Sequence, residues 1–401
     1  MEHTSLFRAV FLIIPAALAW MAILPTRKSL RIPLSIMLGI VVAFGLTLLL
    51  SRGYLTYLAS FGTMAGIYGI LSLGLNSQWG YNGHLNFGVV AFFMVGAFTT
   101  ALLTSTMPTG LMAQYSKQLF GLNLPFLIGV IGAALVSGIV GLLVAIPVLR
   151  LRMDFLAIST LGIAEIIRLI FQNERWLANG PQPMRGVPQP LACLFDHPVS
   201  CGDWVPPAIA AFFNPMQPRD YIFFYLLVVA LFLALIYILL ELALRSPWGR
   251  VLRAVRDEEN SASMSGKFVT SYRVQSFVVG SIVMGIAGAL YAHYVTSIDY
   301  SHFLPLFSTF IVWAMLMFGG SGNNKGAMLG AFLVWGVWVG SAFISSGLSP
   351  VLETFSPELA SRTVYIRWLL VGVLLLVIVL FRPEGVIKEE KIVSSHLKSR
   401  S

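Results

Sequence analysis

Few residues in this chain are of a type and spacing that could do chemistry. Six histidines, at 3, 84, 197, 293, 302 and 396, form neither an H-E-x-x-H pair nor a cluster. The two cysteines, Cys193 and Cys201, show no metal-ligand spacing. The one Gly-Lys pair, Gly266-Lys267, is followed by Phe268 and lacks a glycine-rich lead, so it cannot cradle phosphate as a P-loop does. No enzyme, metal or cofactor function has positive support. Three polar groups remain. Glu165 and Arg168 stand three apart, share a helix face and can neutralise each other. Residues 245–273 hold nine charges, among them Arg253, Arg256, Asp257 and Glu258. Two glycine-bearing segments, 79–88 and 319–330, interrupt otherwise apolar sequence.

The elements that must position these groups are membrane spans. Hydrophobic residues make up 57% and charged residues 11% of 401, and the mean hydropathy is +0.82. A soluble fold cannot hide that much apolar surface, so lipid must cover it. Eleven apolar runs are candidate spans: 10–24, 32–50, 54–75, 85–107, 121–149, 155–171, 221–240, 274–297, 303–318, 327–346 and 364–381. A re-entrant pair over 303–326 would lower the count to nine or ten. The fold class is therefore all-α, a polytopic transmembrane bundle. The first run follows MEHTSLFR, a poor n-region for a cleaved signal, and is expected to be retained. Residues 1–53 read as an N-terminal helical hairpin, 54–386 as the main domain and 387–401 as a polar tail.

Sidedness follows from the basic residues. With the amino terminus outside, 17 of the 26 Lys and Arg fall in inward loops, 8 fall outside, and Arg168 lies within a span. The net charge of +9 then reflects anionic lipid headgroups rather than nucleic acid. Residues 172–220 are proline-rich and read as a large external loop. Cys193 and Cys201 within it could form a disulfide in an oxidising compartment or remain two thiols. The inward loop 245–273 reads differently. Ser246-Pro247 can start a helix, Val251, Leu252, Val255 and Met264 have rough helical spacing, and Gly266 suits a helix end. Arginines 250, 253 and 256 lie along the opposite side. An amphipathic element between two spans could be a plain basic loop or a dock for a soluble partner.

The intramembrane groups keep two readings each. Glu165–Arg168 could lock helices or line a path. The glycine-rich segments could mark unwound backbone along a translocation route, involving Asn76, Gly80, Tyr81, Gly83 and Asn86, or simply let helices pack closely.

Several stretches together resemble the branched-chain amino-acid permease family of ABC importers, in its M-type subunit. GLNSQWGYNGHLNFGVVAFFMVGAFTTALL (74–103), LRLRMDFLAISTLGIAEIIRLIF (149–171), GRVLRAVRDEENSASMSGKFVTSYRVQSFVVGSIVMGIAGALYAHYV (249–295) and FRPEGV (381–386) carry the resemblance. It implies that 249–270 is the cytoplasmic coupling helix that docks on an ATPase subunit, with Arg253, Arg256, Asp257, Glu258, Ala262 and Gly266 at the dock. Where such permeases carry Glu-Ala-Ala followed by Gly, this chain has Asn260-Ser261-Ala262 and Gly266, so only Ala262 and Gly266 match. The family's turns at 179–186 and 320–327 are also altered. The resemblance further implies a second, H-type permease subunit, two ATPase subunits and a periplasmic solute-binding protein as partners. It implies a bacterial inner membrane with the carboxyl terminus in the cytoplasm. Urea or short-amide import is the near alternative. An ion-coupled carrier working alone and a structural membrane subunit are the alternatives of other classes.

Overall fold

The computed structural model describes residues 2–23, 28–109, 117–196, 218–354, 356, 358 and 362–389. Among them, eleven helices have fifteen or more residues, and each overlaps one of the eleven apolar runs. They are α1 (Glu2–Ile23), α2 (Lys28–Leu49), α3 (Arg52–Leu75), α4 (Val89–Thr104), α5 (Phe126–Val148), α6 (Met153–Asn173), α7 (Tyr221–Arg245), α10 (Val269–Val295), α11 (Pro305–Gly319), α12 (Asn324–Glu353) and α13 (Ile366–Phe381). Two short helices, α8 (Pro247–Asp257) and α9 (Glu259–Met264), connect α7 to α10. Five helical segments, 52–80, 126–148, 218–245, 269–295 and 324–350, are long and apolar enough to cross a membrane. The protein is thus a polytopic helical membrane protein, with five clear spans where the apolar runs suggested eleven. The remaining long helices have shorter apolar stretches or, in α6, carry Asp154, Glu165 and Arg168.

Burial explains the order of packing. Helix α4 is buried along almost its whole length, held between α10, α5 and α6. The α4–α10 contact is close because small residues face each other: a Cβ at Gly96 would lie 2.2 Å from the Gly285 carbonyl oxygen. Helices α3, α11 and α12 pack together beside this core, and α1 packs on α2 and α7. By contrast α5 exposes Leu127, Ile131, Leu135, Ile139 and Leu142 at helical spacing, an apolar stripe suited to lipid.

The reversals of the chain give the bundle two unlike ends. One gathers the starts of α1, α3, α5 and α7 with the ends of α4, α6 and α10. There Asp220 accepts from Arg8 at 2.9 Å and from Arg52 at 3.3 Å. A two-residue pair, β1 (Met184–Arg185) with β2 (Ser297–Ile298), runs antiparallel, and single bridges join Thr106 to Leu122 and Gln118 to Ala178. Part of the proline-rich stretch, 197–217, lies outside the described residues, and with it Cys201 and therefore the Cys193–Cys201 pairing. The other end holds α8 and α9.

Candidate functional site

Helix α8 begins as its sequence dictates. Pro247 occupies its first turn, and the Ser246 hydroxyl accepts from the Trp248 amide at 3.2 Å. It does not continue to Gly266, as the apolar spacing suggested. Glu258 adopts an extended backbone (φ −156°, ψ 100°), and α9 starts after it. The acidic run Asp257-Glu258-Glu259 accounts for the break. Carboxylates oppose the negative end of α8 and favour the positive start of α9. Gly266, at φ +75°, closes the element in the left-handed conformation, as expected.

The side chains of α8 sort differently from the sequence expectation. Leu252 and Val255 are buried, as expected, and Ala262 packs with Val255 and Val269. Arg253 and Arg256, however, turn toward the bundle. Arg253 donates to the Leu244 carbonyl at 2.8 Å and lies 5.6 Å from the centre of the Tyr81 ring. Arg256 donates to the Gly80 carbonyl, packs over Gly83, and pairs with Asp257 and Glu389, each at 3.1 Å. Burial works against the Arg256 charge, and these two carboxylates outweigh it, raising its pKa above the usual guanidinium value. Outward-facing are Asp257, Glu258 and two large apolar residues, Met264 (89% exposed) and Phe268 (83%). The helical spacing had grouped Met264 with the buried side.

Arg256 therefore grips the first glycine-bearing segment, and that segment grips the second. After α3 the backbone widens into a π-turn over Asn76–Gly80, a form common at functional sites. Asn76 is fully buried. Its amide nitrogen donates to Asn324 at 3.0 Å and its oxygen accepts from the Gly322 amide at 2.9 Å. Asn324 in turn donates to Glu241 at 3.0 Å, and Glu241 pairs with Arg245 at the end of α7. Gly80 is required by proximity: a Cβ there would lie 2.5 Å from the Gly322 nitrogen. Asn86, also fully buried, donates to Gln78 and accepts from the Gly88 amide, both at 2.7 Å, while its carbonyl accepts from Trp313 at 3.0 Å. So Asn76, Gly80, Tyr81, Gly83 and Asn86 form a joint beneath α8, linking α3, α7, α11 and α12. His84 lies in the same loop. Burial, with a smaller effect of the Arg273 charge, lowers its pKa to about 3, so it is neutral.

Glu165 and Arg168 stand apart on α6. Arg168 Nε donates to Glu165 at 2.9 Å, Nη1 donates to Gln172 at 3.2 Å, and the guanidinium lies 5.8 Å from the Tyr300 ring centre. The Arg168 side chain is 12% exposed and that of Glu165 is 40%.

Glu241 and Glu389 were not singled out in the sequence, and Gly322 and Asn324 were read only as part of the 319–330 segment. Their partners are up to 248 residues away, beyond the reach of local spacing. The FRPEG stretch at 381–385, just before Glu389, was the nearest clue.

The family model described as the permease component of the branched-chain amino acid transport system matches residues 57–380. The probable branched-chain amino acid transport permease protein LivM of Methanocaldococcus jannaschii is 28% identical over 358 residues, covering 84% of this chain and 94% of that protein. The high-affinity branched-chain amino acid transport system permease protein LivM of Salmonella typhimurium is 30% identical over 363 residues, 90% of this chain and 76% of that protein. The permease protein LivH of Escherichia coli K12, from the same type of system, is 23% identical over 304 residues, 73% of this chain and 87% of that protein. No solved structure matches.

Proposed function

The chain belongs to the branched-chain amino acid transport permease family, and we propose that it is the M-type permease subunit of an ATP-driven importer of branched-chain amino acids. The observation that carries this reading is the family match over 57–380, which takes in α8, α9 and the joint beneath them. The chain hydrolyses nothing itself. Separate ATPase subunits dock on the exposed side of α8–α9, at Asp257, Glu258, Met264 and Phe268. Exposed apolar side chains beside charges suit a protein interface. Arg253 and Arg256 serve the dock from behind, holding α8 on the bundle through Leu244, Tyr81 and Gly80.

Nucleotide-driven movement of the ATPase subunits is passed through α8 into this joint, and so to α3, α7 and α12. A polar network with several alternative partners can re-pair as the helices rock. Glu165 and Arg168 line the substrate path at the face shared with an H-type permease. Glu165 lies about 18 Å along α6 from Met153, too deep for a half-exposed carboxylate to face lipid. An external solute-binding protein delivers substrate to the end that carries Asp220 and the β1–β2 pair. The chain crosses a bacterial inner membrane eleven times, amino terminus outside. The basic-residue count and the clustering of 76–88, 245–273, 319–326 and 382–389 at one end support this sidedness.

The test is reconstitution. The tagged chain is purified in mild detergent with its co-expressed partners, placed in vesicles with the binding protein, and assayed for ATP-dependent uptake of labelled leucine, isoleucine and valine. Co-purification of an ATP-hydrolysing partner with uptake of these amino acids is the expected result. Uptake that needs no ATPase subunit and collapses with an uncoupler would overturn it in favour of a secondary carrier. Uptake of urea or short amides instead would move the substrate assignment alone.

A further inference from the structure

The segment after α13 is no free tail over its described length. Helix α13 ends as the Arg382 amide bonds to Ile378 O at 2.7 Å, and the Gly385 amide then closes a turn on Arg382 O at 2.8 Å. Gly385 sits at φ +77°, and a Cβ there would lie 2.4 Å from the Gly320 Cα. Only glycine fits so close an approach in that conformation. The chain next runs along the turn between α11 and α12. The Val386 amide donates to Phe318 O at 2.9 Å, and the Ile387 amide donates to Gly319 O at 3.0 Å. The Asn323 side chain donates to Lys388 O at 3.0 Å while its oxygen accepts from the Lys325 and Gly326 amides at the start of α12. Glu384 and Lys388 pair across the bend. At the end of this strap Glu389 meets Arg256 at 3.1 Å.

The strap thus adds a second connection between two elements that the π-turn already links, the start of α12 and the middle of the α8–α9 element. Arg256 is shared between the Gly80 carbonyl and the Glu389 carboxylate, so the strap acts on the same guanidinium that anchors α8 to the π-turn. We propose that Glu389 is a positioning residue for transport: by pairing with Arg256 from a strap fixed to the α11–α12 turn, it sets how α8 seats on the bundle, so that motion of α8 is delivered to α12 together with α3. The proposal rests on the reading of α8 as the coupling element.

The experiment compares the assembled transporter carrying Glu389→Lys, Glu389→Gln or Glu389→Asp with the wild type. Uptake and ATP hydrolysis are measured in the same vesicles, and bound ATPase subunits are quantified. The expected result is that Lys and Gln lower the amino acid imported per ATP hydrolysed by about tenfold while the ATPase subunits stay bound and active. Asp, which keeps the charge, retains most of the ratio. An unchanged ratio in both Lys and Gln variants overturns the proposal. So does a parallel fall of uptake, hydrolysis and complex yield, which would mean a role in stability alone. Amide hydrogen exchange reads the strap without any transport assay: Glu389→Gln is expected to raise exchange in 249–257 and in 318–326. Unchanged exchange there also overturns the proposal. A wild-type complex that imports no branched-chain amino acid would instead defeat the substrate assignment, with the exchange result standing separately.

Discussion

The two ends of the bundle are tied by different chemistry. At the end that holds α8 the helices are tied chiefly by side chains reaching far along the sequence, Asn76 to Asn324, Asn324 to Glu241, Arg256 to Gly80 and Glu389, with the backbone bonds of the strap at Phe318 and Gly319 added to them. At the opposite end several ties are backbone to backbone, in β1–β2, Thr106–Leu122 and Gln118–Ala178, with the Asp220 ion pairs beside them. Backbone pairing is stiff and indifferent to side-chain identity. Side-chain pairing depends on a few residues and can exchange partners. A joint that moves, as proposed for the α8 end, needs the second kind, and the proposed platform for a solute-binding protein is served by the first.

Substitutions can break this contrast, and the largest effect is expected at the joint. Asn76→Ala leaves the Gly322 amide and the Asn324 oxygen without their buried partner, at a cost of about 2–4 kcal/mol. Gly80→Ala drives a Cβ into the same contacts and is expected to cost about 1–3 kcal/mol. Both should lower the melting temperature in detergent and the uptake per ATP together. A variant that melts early but couples normally would show the joint to be mere scaffold. Next comes Asp220→Asn, which weakens the pairs with Arg8 and Arg52 and is expected to cost about 1–3 kcal/mol. Its uptake per ATP should not change; a fall in that ratio would erase the distinction between the ends.

A pH titration sharpens the comparison within the joint. His84 has a folded pKa near 3 against 6.5 in the unfolded chain, so between those values the unfolded state binds the extra proton. Its contribution to stability is full above about pH 6.5 and is lost progressively as pH falls toward 3. Wild type should therefore lose melting temperature from pH 7 to pH 5 more steeply than His84→Gln. Parallel slopes would remove His84 from the account. The smallest effect belongs to Gln118→Ala at the platform end, where the backbone bridge to Ala178 remains and the change should stay within about 0.5 kcal/mol. A larger loss, measured by the same melts, would mean that side chains govern that end as well.

How much of this was legible beforehand depends on the range of the interaction. Helix α5 was expected over 121–149 and forms over 126–148, and α11 was expected over 303–318 and forms over 305–319. Apolar length and helix-ending residues are local, so they read directly. Glu165 and Arg168 pair as their spacing implied, again a local matter. The joint was legible only as fragments. Asn76, Gly80 and Gly83 were singled out for a path, yet the meeting of Gly80 and Gly83 with Arg256, and of Asn76 with Asn324, depends on tertiary packing that no spacing encodes. Arg253 and Arg256 misled for a related reason: on a free amphipathic helix they would face water, but carbonyls at the end of α7 and the π-turn offer them better acceptors. Met264 misled oppositely, since the break at Glu258 resets the helical phase on which its expected burial relied.

The strap also has a consequence for biosynthesis. Its contacts join residues 386–389 to 256 and to 318–323, so they close only after every helix from α3 to α13 has been made and inserted. Until then α8 lacks its last restraint, and on the proposed reading of α8 as the dock a nascent or prematurely terminated chain would present it unseated to an ATPase subunit. The order of synthesis thus sets an order of seating: α8 receives its strap contact only after α3 to α13 have been made.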